Sequence, residues 1–160
     1  NDVKLNLKDV SEIEKAFDEI IKNARAYNKY AQIEGVLISP METKGLEVIV
    51  GMMRDRQFGP VIMFGLGGIF VEVLKDVSFR ITPVSRSDAY EMVRQIKGYP
   101  ILGGIRGEEP SDIEAIVDII MKVSSLVSAN EKISELDLNP VFVFKKGASV
   151  VDARIILGKE

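Results

Sequence analysis

The stretch Glu135-Leu-Asp-Leu-Asn-Pro-Val-Phe-Val-Phe144, continued by Lys145-Lys-Gly-Ala-Ser149 and Val150-Val-Asp-Ala-Arg-Ile-Ile156, reads as a β-hairpin with strands at about Ser134 to Phe144 and Ser149 to Leu157. Two β-branched and aromatic runs flank a Lys-Gly turn. Pairing Phe144 with Ser149 puts Leu138, Pro140, Phe142 and Phe144 on one face with Val151, Ala153 and Ile155. The other face then carries Asp137, Asn139, Asp152 and Arg154, with Asn139 opposite Arg154 and diagonal to Asp152. A one-residue slip would push Arg154 among apolar side chains, so burial selects this parity. Diagonal neighbours in a sheet lie roughly 7–8 Å apart, so two carboxylates, an amide oxygen and a guanidinium meet on one face. Such hard oxygens suit Mg²⁺, which takes few protein ligands and completes its shell from water and phosphate. An arginine beside it can fork a phosphate. The same residues also fit a solvated hairpin face with a weak ion pair, and Asn139-Pro140 is an ordinary turn signal.

Upstream of the hairpin, strands and helices mix without strict βαβ alternation, which favours α+β over a doubly wound sheet. Val3 to Leu7 alternates as a half-buried strand does. Ser11 with Glu14 reads as a capping box for a helix reaching about Tyr27. Gly35 to Met41 and Leu46 to Met53 read as two strands around Thr43-Lys44-Gly45, and Val61 to Phe64 as a third, buried strand. Phe70 to Thr82 is strand-like and stops at Pro83. A helix follows from about Ser87 to Lys97, closed by Gly98 and Pro100. Gly103 to Pro110 is a loop on composition, with Arg106 between glycines as a surface, phosphate or partner contact. Ser111 and Glu114 form a second capping box, opening a helix buried along Ile113, Val117, Ile120, Ser124 and Val127. Met41, Met52, Met53 and Met63 read as core filler. No repeat or linker interrupts residues 1–160, so one domain is expected.

Composition narrows the chemistry. The 160 residues are 46% hydrophobic and 28% charged, a balance that excludes a disordered chain. Cysteine and histidine are both absent. Disulfides, thiol nucleophiles, structural zinc and any imidazole base are thereby removed. Net charge is −3, with no basic stripe interleaved with aromatics, so no nucleic-acid partner is expected. The longest apolar run, Val61 to Val71, is too short to span a bilayer and is broken by glycines. No signal peptide is seen, so the expected compartment is the cytoplasm. The start at Asn1 suggests that further sequence precedes it.

Val61-Ile-Met-Phe-Gly-Leu-Gly-Gly-Ile-Phe-Val-Glu-Val-Leu-Lys-Asp-Val-Ser-Phe-Arg80 and Glu135-Leu-Asp-Leu-Asn-Pro140 together resemble the ATP-grasp module of ADP-forming acyl-CoA synthetases. The type member is ADP-forming acetyl-CoA synthetase, whose β subunit is this module; the succinyl-CoA synthetase β subunit is similar at greater distance. The resemblance runs from about Val3 to Ile156. It implies an α+β ATP-grasp fold, present as the large nucleotide- and Mg²⁺-binding lobe with its hinge. It also implies a ligase activity that converts acyl-CoA, ADP and phosphate into acid, CoA and ATP through phosphohistidine. Residue by residue, Asp137 and Asn139 match the fold's acidic-x-Asn metal motif, and Asp152 falls at a second metal ligand. Ile38 and Ser39 match the hinge strand that meets adenine, and Glu47 matches the ribose-binding carboxylate. Arg80 and Arg154 are carried over as catalytic phosphate ligands. Gly65-Leu-Gly-Gly68, on its own a tight turn needing positive φ, would lie near phosphate or a partner subunit, and no role is assigned to Glu72.

The small lobe with its nucleotide-gripping lysine, and the family's histidine segment before Val3, have no counterpart in these residues. The expected cofactors are ATP or ADP and Mg²⁺. The expected partner is a CoA-binding α subunit, or fused CoA-binding domains, in a hetero-oligomer, with the segment alone inactive. The rival reading is a non-catalytic, ligand-sensing or regulatory ATP-grasp-like domain of an acyltransferase.

Overall fold

The apolar run from Leu46 to Leu66 folds back on itself. Asp55 Oδ1 accepts the backbone N–H groups of Gln57 (2.7 Å) and Phe58 (2.9 Å), and Gly59 takes φ +74°. An aspartate that caps its own turn and a glycine free to adopt positive φ make a tight reversal. The turn joins β1 (Leu46–Asp55) to β2 (Gly59–Leu66), paired antiparallel from Val48↔Leu66 to Asp55↔Gly59. The computed structural model describes residues 3–68, 70–105, 107 and 109–158. Arg106 lies outside them, as does the side chain of Glu72.

Around that hairpin the sheet runs β3-β2-β1-β4-β5, with β6 also on β4 and every pair antiparallel. The added strands are β3 (Val77–Ile81), β4 (Ile133–Val143), β5 (Ala148–Val150) and β6 (Ala153–Leu157). Helices α2 (Arg86–Gln95), α3 (Tyr99–Leu102) and α4 (Ile113–Ala129) complete this unit. Helices α2 and α4 cover one face, and the core lies there. Val48, Val50, Met52, Ile62, Phe64 and Leu66 pack against Met92, Val93, Ile116, Val117, Ile120 and Val127. This is the alternation expected of a sheet with one covered face. Odd-numbered residues of β1 and β2 therefore turn to the other face, where Met53 is 62% exposed and its neighbours Phe79 and Ile81 are also exposed.

Two ties hold the helix layer to the sheet. Asp112, the N-cap of α4, accepts from Ala115 N (3.1 Å) and Gly147 N (2.7 Å), so one carboxylate caps the helix and pins the β4–β5 turn. Arg54 donates to the carbonyls of Val127 (3.2 Å), Asn130 (3.3 Å) and Ile133 (3.0 Å), where α4 runs into β4. A cation at a helix C-terminus meets orphan carbonyls and the negative end of the dipole.

The chain divides into two compact units, Asn1–Thr43 and Lys44–Glu160. The first contains α1 (Val10–Tyr27), which buries Ala16. Residues 3–8 and 31–45 carry no regular secondary structure. The strands expected at Val3–Leu7 and Gly35–Met41 are thus not formed, and Leu46–Met53 takes Val61 and its neighbours as hairpin partner instead. Alternation and β-branching fit a strand, but a strand exists only when another edge satisfies its N–H and C=O groups.

Other expectations shift by a few residues. The caps are Asp9, Ser85 and Asp112 rather than Ser11 and Ser111. The acceptor that reaches the free N–H groups lies upstream of the expected residue at Asp9 and one residue downstream of it at Asp112. Phe70–Leu74 is a short π-helical turn, and only Val77–Ile81 of the expected long strand pairs. Of the four methionines assigned to the core, Met52 is buried, whereas Met41 and Met53 are exposed and Met63 is half-buried. The expected closure at Gly98-Tyr99-Pro100 is instead the start of α3. Among the described residues, no helix is long and apolar enough to cross a membrane.

Candidate metal centre

The terminal hairpin has the expected parity but not the expected pairs. Phe142 faces Ser149, Val143 faces Ala148, and Asp137 faces Arg154. Phe144 N donates to Gly147 O (3.0 Å), leaving a turn of Lys145-Lys146 only, because Gly147 accepts φ +83°. The register therefore sits two residues from the expected one, which keeps every side chain on its face. Asn139 faces Asp152, its N–H donating to Asp152 O (3.1 Å), rather than Arg154.

The apolar partner face is corrected as well. In β4, Leu136 is buried and Leu138 half-buried, but further along it is Val141 and Val143 that are buried, not Phe142. Between Val48↔Val141 and Val50↔Leu138, β1 spends one residue where β4 spends two, a bulge at Asn139-Pro140. The bulge reverses which parity faces the helices. It leaves Asn139 exposed at the end of the Asp137 row.

That row crosses the sheet as Phe79–Met63–Gly51–Asp137–Arg154, each paired with the next. The parallel row is Ile81–Val61–Met53–Glu135–Ile156. Together, Ile81 excepted, they line a cleft of about 380 Å³ on the uncovered face. The β1–β3 side of the cleft is apolar, and the β4–β6 side mixes Glu135, Asp137 and Arg154 with Leu136 and Ile156. Asp137 is half-buried, and its carboxyl is pushed above the usual range first by burial and then by the charge of Asp152, against the pull of Arg154. Two carboxylates within electrostatic reach and a cation that only partly offsets them make a site short of positive charge.

The other expected site residues are placed as follows. Glu47 stands on the odd face of β1, four residues from Gly51, roughly 13 Å at the ordinary strand rise. Its carbonyl accepts from Gly67 N (2.8 Å), and its Oε2 lies 3.5 Å from where a side chain on Gly68 would begin. The Gly65–Gly68 segment thus wraps the end of β1, with positive φ at Gly68 alone of its glycines. Arg80 is not brought to the cluster. It pairs with Ile62, on the helix-covered side, and donates to Gln95 Oε1 (2.9 Å) and Phe79 O (2.8 Å), with Glu91 Oε2 at 3.4 Å. Ile38 and Ser39 belong to the N-terminal unit, in an exposed segment without regular secondary structure where Ile38 is 64% exposed.

Asp137, Asn139 and Asp152 offer two carboxylates and an amide oxygen beside a glycine with no side chain, a donor set that fits a hard divalent cation. Among the described residues no cluster of three or more Asp, Glu, His or Cys side chains could hold a metal alone. Sequence reading missed Gly51, Met53, Met63 and Phe79 as cleft residues. The signal was present: β1 is apolar on both parities, as a strand is when both of its faces meet something apolar.

Residues 1–157 match the ATP-grasp domain family. The chain is 60% identical over 158 residues to acetate–CoA ligase (ADP-forming) II subunit β of Pyrococcus furiosus, covering 97% of this chain and 67% of that one. It is 55% identical to acetate–CoA ligase (ADP-forming) I of Archaeoglobus fulgidus, covering 99% of this chain but 23% of that longer one. Among solved structures, acetyl-coenzyme A synthetase 1 of Ca. Korarchaeum cryptofilum, in complex with coenzyme A and Ca-AMPCP, superposes with a TM-score of 0.91 at 50% identity, over 97% of this chain and 68% of that one. Another structure of that enzyme, with a phosphorylated phosphohistidine segment, gives 0.93. The chain belongs to the ATP-grasp family, in the branch formed by the β subunits of ADP-forming acetate–CoA ligases.

Proposed function

We propose that the chain is the nucleotide- and Mg²⁺-binding part of an ADP-forming acyl-CoA synthetase. The reaction is acyl-CoA + ADP + phosphate = acid + CoA + ATP. What supports the reading is the pairing of Asp137 with Arg154, the charge of Asp152 felt at Asp137 and the backbone bond from Asn139 to Asp152, at the residues that match the family's metal motif. Asp137, Asn139 and Asp152 would hold Mg²⁺. When bound, the ion supplies charge neutralisation to the phosphate oxygens during in-line transfer. Arg154, fixed opposite Asp137, forks a phosphate and limits the repulsion between the carboxylates. Glu47 takes the ribose hydroxyls, and the backbone around Ile38 and Ser39 meets the base; both assignments rest on the family pattern. Arg80 is assigned no phosphate, because its guanidinium is spent on α2.

With no histidine in the sequence, the phosphate-accepting imidazole belongs to another subunit or segment. The active protein is a hetero-oligomer or longer fused chain that brings a CoA-binding α component. Relatives of the β-subunit type support this, as do the structures of the Korarchaeum enzyme bound to coenzyme A. The test is Asp152→Asn in the complete enzyme, read as Mg²⁺-dependent ATP formation. A strong loss of turnover with unchanged folding is expected. Normal turnover with normal metal dependence would overturn the site.

A further inference from the structure

The cleft on the uncovered face holds one carboxylate that no neighbour answers. Glu135 lies in its wall between the cross-strand neighbours Met53 and Ile156, both apolar. Asp137, two residues along the same face, has Arg154 opposite it, whereas Glu135 makes no hydrogen bond or ion pair among the described residues. Around the cleft the apolar surface continues over β1 and β3, with Met53 62%, Phe79 54% and Ile81 51% exposed. Exposed methionine and phenylalanine side by side on a sheet face match the core of a protein interface better than a solvated surface. An unpaired carboxylate among them states the charge of what the surface fits.

Resting on the proposed metal site, we infer that this cleft is the docking surface for the CoA-binding component. The segment it takes presents an apolar side chain with a lysine or arginine beside it. The apolar group enters between Met53, Val61 and Phe79, and the cation meets Glu135. Two observations select that partner. The cleft shares Asp137 and Arg154 with the proposed metal site. With no histidine in the sequence, the component that supplies the phosphate acceptor has to come up against that same site. The cleft sets two carboxylates against one guanidinium, so it draws in a basic segment and repels an acidic one.

The experiment uses the complete enzyme, assembled with its CoA-binding component. Met53→Cys, in a chain with no other cysteine among these residues, is labelled with a benzophenone maleimide, and the photo-cross-linked peptides are read by mass spectrometry. Capture of the CoA-binding component is expected. No capture, or capture only of residues from the ATP-grasp chain, would overturn the inference. Dissociation on dilution, followed by sedimentation, gives a second reading. Glu135→Lys and Met53→Asp should each weaken association of the components about tenfold or more, the scale of an interface anchor. Glu135→Gln should weaken it less and flatten its salt dependence. Both side chains are exposed, so the thermal midpoint should hold. Unchanged association in both Glu135→Lys and Met53→Asp would overturn the inference while leaving the metal site standing. Asp152→Asn separates the two readings: if it binds Mg·ADP as wild type does, the metal site falls, and the docking surface is still decided by its own cross-link and dissociation.

Discussion

Asp137 and Leu138 are sequence neighbours on opposite faces of β4, so two substitutions one residue apart should fail in opposite ways. Leu138 is half-buried against the helix-covered core. Leu138→Asp gives up roughly 1–2 kcal/mol of apolar burial, about half that of a fully buried leucine. It also desolvates a carboxylate with no partner, adding about 1–3 kcal/mol. A total near 2–5 kcal/mol corresponds to a midpoint drop of roughly 4–20 °C for a chain of this size. Asp137→Asn keeps the shape and removes a charge that the fold holds at a cost. The carboxyl's folded pKa lies above its unfolded value, through burial and the charge of Asp152. An acid shifted upward subtracts stability once pH exceeds its unfolded pKa, so at neutral pH removing the charge should leave the midpoint equal or higher. Turnover should nevertheless collapse with the loss of a metal ligand. The assay pairs differential scanning calorimetry with Mg²⁺-dependent ATP formation in the complete enzyme. A clear loss of stability in Asp137→Asn, or a harmless Leu138→Asp, would refute the assignment of faces.

Arg54→Met keeps the aliphatic stem but strips the carbonyls of Val127, Asn130 and Ile133 of their donors. A loss of about 1–3 kcal/mol is expected in urea unfolding, with faster amide exchange at the end of α4. Gly67→Ala would set a Cβ 2.9 Å from Glu47 Cβ and 3.2 Å from its carbonyl carbon. It should displace Glu47 and raise the Michaelis constant for ADP more than it lowers kcat. Asp112→Ala removes the cap of α4 and the tie to Gly147, and should cost about 0.5–2 kcal/mol. Backbone N–H groups of Gly147 and Ala115 hold the Asp112 carboxyl below its ordinary pKa. Its contribution is therefore complete above the unfolded value and fades as pH falls through the folded one, so wild type and variant should converge in acid titrations of stability.

Much of this was legible in the chain. Opposite Asp137 the hairpin faces survived a two-residue error in register because side-chain parity has period two, whereas beyond the bulge the expected apolar face failed: Phe142 gives way to Val141 and Val143, and Val151, Ala153 and Ile155 are exposed. The tight turn was missed because nothing in Lys145-Lys-Gly-Ala148 announces that Gly147 alone carries the positive φ. The bulge at Asn139-Pro140 was invisible because it is defined by β1, nearly ninety residues away in sequence. The strands imagined at Val3–Leu7 and Gly35–Met41 show the limit of local pattern, since pairing is decided by which edges are free. Arg80 was carried to the phosphates by its motif, yet it pairs with Ile62 and turns toward α2. Gly51 escaped notice because a glycine inside an apolar run reads as a weak strand residue until its cross-strand neighbours are known.

In the proposed site, one metal ion with nucleotide sits on the Asp137–Asn139–Asp152 edge of the sheet. Crystals of the complete enzyme grown with ADP and Mn²⁺ allow the ion to be located by its anomalous scattering. One peak is expected within coordination distance, about 2.0–2.3 Å, of oxygens from at least two of these three side chains, with ADP phosphate completing the shell. A nucleotide-bound peak elsewhere, with the three side chains making no contact to it, would contradict the claim.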